Sequence, residues 1–175
     1  MNTKLTTLTK LALVAAIATT TSVGVAKAAT FSESATISIV QALSLSQTTQ
    51  MNLGVVQRPS SGTQTAIVST AGTPSGTITY VDNAAVRAGA YSIAGSALNT
   101  ISISAVDDAN VAGLTFTALS GSYNGGSATN LLTGITGGVA PGAGKTLNVG
   151  GTLQVASTVV EGIYAPSFTL TVNYE

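Results

Sequence analysis

The sequence predicts an all-β fold, an immunoglobulin-like antiparallel β-sandwich, with a closed β-barrel as the alternative. Three observations carry this. Beyond Ala29, apolar residues recur at every second position with Ser and Thr between them, the period of a half-buried strand and not of a helix. The alternating runs are rich in Val, Ile and Thr, which suit a pleated surface. The breaks between runs hold Gly, Pro, Asn, Ser and Asp, the residues that tolerate turn backbone. Short strands at regular spacing in a chain of 175 residues point to two sheets packed as one domain; a closed sheet is the other way to bury them.

In chain order, the alternation opens at Ala35–Ile39 and continues through Leu43–Leu45 and Met51–Leu53 into Val55 and Val56. After a break at Arg58–Gly62 it resumes at Ala66–Val68, breaks at Ala71–Gly76, and returns at Ile78–Tyr80. Asp82 and Asn83 read as a turn, and Asn83–Arg87 is long enough for one helical turn and no more. Strands are then expected around Ala90–Ile93, Ile101–Ile103, Leu114–Ala118, Leu147–Val149, Leu153–Val155 and Phe168–Tyr174. Ser120–Gly144 departs from the pattern. It is Gly, Ser, Thr, Asn and Ala with few aliphatics, and it reads as a surface loop holding one short strand near Asn130–Ile135. Loops often carry binding residues, and Tyr123, the only aromatic in this one, is its candidate ligand contact.

The first 28 residues have the layout of a secretory signal peptide. Lys4 and Lys10 give a basic start, Leu11–Ala26 is apolar and small, and Ala26-Lys27-Ala28 satisfies the small-x-small cleavage rule. A membrane anchor would need about 20 predominantly apolar residues, whereas this stretch is interrupted by Thr19, Thr20, Thr21 and Ser22. The expected organisation is therefore a signal peptide at 1–28 and one exported domain at 29–175, bound for the periplasm, the cell surface or the medium. Removing the leader leaves Arg58, Arg87 and Lys145 against six acids. So charge-poor and mildly acidic a chain offers little to nucleic acid or anionic lipid.

The composition excludes most site chemistry. With no His and no Cys, the chain lacks the usual ligands of structural zinc, haem and iron–sulfur clusters, the usual general base and the thiol nucleophile. Asp107 and Asp108 with Asn110 resemble a minimal calcium cluster. Calcium takes six to eight oxygens, however, and neighbouring carboxylates on a strand point to opposite faces, so an acidic turn is the better reading. The glycines at Gly121–Gly126 and Gly137-Gly138 lack the Lys-Ser/Thr pair of a phosphate loop. A serine nucleophile would need Lys145, which lies beside a Gly-rich stretch with nothing to desolvate it. The expectation is a non-enzymatic protein without cofactor or metal.

The last strand is the most informative. Phe168, Leu170, Val172 and Tyr174 share one face, with Thr169, Thr171 and Asn173 on the other. A strand at a sheet edge presents unpaired N–H and C=O groups that another chain can use. Tyr174 is penultimate and Gly162 lies twelve residues before it, a pattern that resembles the end of chaperone–usher pilus subunits. Near the start, Phe31, Ala35, Ile37, Ile39, Leu43 and Leu45 share one parity, interrupted by Glu33 and Gln41. Periodicity fits either an ordinary first strand or a segment donated to a neighbour.

A second resemblance spans nearly the whole chain beyond the leader. Leu43–Leu45 and Met51–Val56, then Ala90–Ile93 and Ile101–Ile103, then Leu147–Leu153, Gly162–Tyr164 and Phe168–Tyr174 are similar to the exported bacterial surface family called domain of unknown function 4402. Leu53 stands where that family often has Phe before Gly, and the Cys pair common in pilins is absent. The resemblances imply an exported sandwich without catalytic residues. They further imply a fimbria-like subunit whose partners are copies of itself or other pilus subunits, with a periplasmic chaperone and an outer-membrane usher in assembly. Phe31, Ala35, Ile37, Ile39, Gly162, Phe168, Leu170, Val172 and Tyr174 are the expected subunit contacts. The alternative is a self-complete secreted module binding a glycan or acting as an adhesin.

Overall fold

The computed structural model describes Ser34 and residues 36–108 and 111–175. The leader, Phe31, Ala35 and Asn110 lie outside the described residues. The chain divides into two compact units, Met1–Ile37 and Ser38–Glu175, and the fold belongs to the second.

The described residues form an all-β structure of antiparallel sheets without helix, and no sheet closes into a barrel. The strands are β1 (Ser44–Thr49), β2 (Val55–Val56), β3 (Thr63–Val68), β4 (Pro74–Gly76), β5 (Tyr80–Asp82), β6 (Gly89–Ala94), β7 (Ile101–Asp107), β8 (Leu114–Tyr123), β9 (Thr129–Asn130), β10 (Ile135–Gly138), β11 (Lys145–Ala156) and β12 (Phe168–Tyr174). β11 is the spine of the larger sheet. β8 runs along one of its edges, with β9 beyond. On the other, β6 pairs Lys145–Val149 and β3 pairs Gly151–Ala156. β1 extends the sheet beyond β6 and β4 beyond β3. The second sheet has the order β10-β7-β12, and β2 pairs β5 separately.

The core lies between the two sheets. Ile93, Leu119, Leu147, Val149 and Leu153 from the larger sheet meet Ile101, Ile103 and Ala105 of β7 in one buried cluster. This is the face-to-face burial that period-two alternation requires.

The two runs at Leu147–Val149 and Leu153–Val155 are one continuous strand, passing through Gly150-Gly151 where the sequence suggested a break. Gly150 is required there because a Cβ would run into the Val68 carbonyl. The segment Ser120–Gly144 is likewise not one loop. It contains the end of β8, then β9 and β10 on either side of the expected Asn130–Ile135 strand. Leu131, fully buried, donates its N–H to Leu119 O (2.7 Å) in the larger sheet, and its carbonyl accepts from Ala105 N (2.8 Å) in the smaller. The segment therefore crosses between the sheets and closes one side of the sandwich.

Candidate functional site

Among the described residues, nothing closes the opposite side of the sandwich. It is bounded by β12, the end strand of its sheet, and by β1, the end strand beyond β6. Among the described residues no strand pairs with the outer edge of β12.

Burial shows what is missing. The inward residues of β7, Ile101, Ile103 and Ala105, are buried, whereas Phe168, Leu170, Val172 and Tyr174, inward on the neighbouring β12, are only half-buried. Across the gap, Leu45 is opposite the fully buried Ile93 in register, so its side chain points to the core side, yet it is 38% exposed. A side chain aimed at a core but left wet marks a core without its cover.

At the Phe168 end the gap widens into a cleft of about 1090 Å³. Its floor is core: Ala66, Phe116, Leu153 and Val155. The Phe116 ring meets Phe168 edge to face at 5.6 Å, a favoured aromatic geometry. One wall is Gln47–Arg58, tied to the body by the reciprocal Asn52–Arg87 backbone bonds (3.0 Å each), by Arg87 Nε donating to Gln50 O (3.1 Å), and by Gln47 Nε2 donating to the Tyr91 hydroxyl (3.4 Å). Burial raises the pKa of Tyr91, partly offset by that Gln47 bond. The other wall is the β11–β12 loop. There the Tyr164 hydroxyl donates to Val160 O (2.7 Å) and its ring lies over Gly162. Gly162 thus sits on the exposed lip, beneath the Tyr164 ring.

At the other end of β12 the gap is pinned. The Tyr174 hydroxyl donates to Gln41 O (2.7 Å) and accepts from Ser96 N–H (2.6 Å). Gly95 makes this possible, since a Cβ there would overlap that hydroxyl. No strand is formed over the described residues of 34–43. Ile37 and Ile39 are 80% and 85% exposed.

A family model matches residues 43–174, well over half of the chain. The chain belongs to the family described as Domain of unknown function (DUF4402). The matched span of this DUF4402 protein runs from just before β1 to the end of β12, so both strands bordering the gap lie within it, while Ile37 and Ile39 precede it. No curated protein and no solved structure matches the chain.

The sequence reading of Tyr123 needs correction. It is 8% exposed at the end of β8, its hydroxyl donates to Val139 O (2.9 Å), and burial raises its pKa. The alternation Leu119, Gly121, Tyr123 turns it inward, so it presents little surface to a ligand. Asp82 makes the expected turn, accepting from Ala84 N–H (2.8 Å). Asp108 accepts from the Thr169 hydroxyl (2.9 Å), and among the described residues no three His, Cys, Asp or Glu side chains are grouped to hold a metal. The cleft wall at Gln47–Arg58 escaped the sequence reading. The sequence reading saw Met51–Val56 as an alternating run but not as a cleft wall, because the contacts that hold the wall in place span more than thirty residues of sequence, as with Arg87 and Gln50.

Proposed function

We propose that this protein is a non-enzymatic, exported structural subunit of a bacterial surface fibre, and that copies join by β-strand addition at the gap between β1 and β12. The observation that carries the reading is the half-burial of Phe168, Leu170, Val172 and Tyr174 beside an edge that no described strand covers. An added strand would satisfy the outer N–H and C=O groups of β12 and complete the core beneath Leu45. The donor is the segment ending at Val40 in another copy. Ile37 and Ile39 share the parity that a strand with one buried face needs, and burying each from its exposed state contributes about 1.5–3 kcal/mol. Periplasmic chaperone and usher are the expected assembly partners, and the signal-peptide layout of residues 1–28 supports export.

The test is deletion of residues 29–40, with fibres scored by electron microscopy of the cell surface. Loss of fibres, with the deleted chain still exported, is the expected result. Unchanged fibres would overturn donation by this segment. The binding-module reading placed its ligand on the Ser120–Gly144 segment and Tyr123, and Tyr123 is buried in the core.

A further inference from the structure

We propose that successive copies also touch end to end, the Leu98 loop of one packing against the Val160–Tyr164 lip of the next, as a contact separate from the added strand. This rests on the strand-addition reading above.

The direction of β12 fixes the geometry. It runs from Phe168, at the cleft, to Tyr174, about 20 Å away at about 3.4 Å per residue. Tyr174 holds Gln41 and Ser96 through its hydroxyl, and Leu98 follows on that same loop, its N–H donating to Ser96 Oγ (3.1 Å). The segment ending at Gln41 therefore leaves the domain at the end that carries Leu98. The cleft opens at the opposite end, where Val160, Ile163 and Tyr164 form its lip. A copy that inserts its segment antiparallel to β12 brings its Leu98 end onto that lip. Parallel insertion would instead bring two Tyr174 ends together and leave the lip bare, and parallel pairing is slightly less stable per residue.

The surface fits this arrangement. Among the described large hydrophobic residues the four most exposed are Ile163 (103%), Leu98 (93%), Ile39 and Ile37. All four fall at this junction: two on the donated segment and one at each end of the domain. The Ser96–Asn99 loop carries no charge, and Glu161 is the sole charge in Val160–Tyr164. Because the two patches differ, the contact is heterologous and can repeat from copy to copy, building a fibre where the rotation between copies does not close a ring.

The experiment uses the full chain with Ile163→Asp or Leu98→Asp, both exposed sites where folding is little affected. Two readouts are compared: association of copies by sedimentation, and capture of a labelled synthetic peptide spanning residues 29–41. Each substitution is expected to weaken association roughly tenfold or more, as loss of a buried aliphatic contact implies, with peptide capture unchanged. Native-like association of both variants, with peptide capture intact, would overturn the end contact and leave strand addition standing. A native chain that neither associates nor captures the peptide would overturn strand addition, and the end contact with it.

Discussion

At the scale of single residues, two close approaches hold the architecture. Gly150 lets β11 pass the Val68 carbonyl, and Gly95 admits the Tyr174 hydroxyl. Gly150→Ala should destabilise the domain by about 1–3 kcal/mol, as overpacking against rigid backbone does, read from chemical denaturation midpoints. Tyr174→Phe keeps the ring but leaves Ser96 N–H and Gln41 O without this partner, and should cost about 1–3 kcal/mol. In the sequence Gly150 fell in a gap between two runs, because the carbonyl it avoids is distant along the chain. Tyr123 was misread for a related reason: it sits in a stretch of loop-like composition, and composition does not reveal that Val139 O waits for its hydroxyl.

At the scale of elements, alternation located the strands well wherever a strand buries one face against the core. β12 falls at Phe168–Tyr174 as expected, and β3, β6 and β7 each contain the predicted run. What local pattern could not show was pairing without burial. β4 begins at Pro74, a turn-former by composition, and is a strand only because its position at the sheet edge tolerates a residue without N–H. β9 and β10 are short and unpatterned, the second of them half glycine, yet the Leu131 between them is bonded into both sheets. Leu131→Ala should therefore cost about 2–5 kcal/mol, more than a loop residue would, with thermal or chemical unfolding as the measure. The open gap was legible only in part. The sequence showed an apolar face on β12 and a matching parity in Ala35–Ile39, but it could not say that among the described residues no strand pairs with the outer edge of β12, or that residues 36–39 form no strand.

At the scale of the whole molecule, the described residues close the sandwich on the side where Leu131 crosses and leave it open between β1 and β12. Stability rests on burial and backbone pairing, since the chain has no Cys. Burial raises the pKa of Tyr80, Tyr91 and Tyr123 above the ordinary 10.0. The unfolded chain then releases these protons first. Their contribution is fully present below about pH 10 and is lost as pH rises through the higher folded values. Denaturation midpoints should accordingly fall above pH 10, and constant midpoints there would contradict burial of these phenols.

The most direct test of the central claim is amide hydrogen exchange of β12 in the assembled and the dissociated protein. In the dissociated chain, the β12 amides directed away from β7 should exchange quickly, while those facing β7 are protected. On assembly the outward amides should become strongly protected, with β3 and β11 unchanged. Equal exchange of the outward β12 amides in both states would contradict strand addition at this edge.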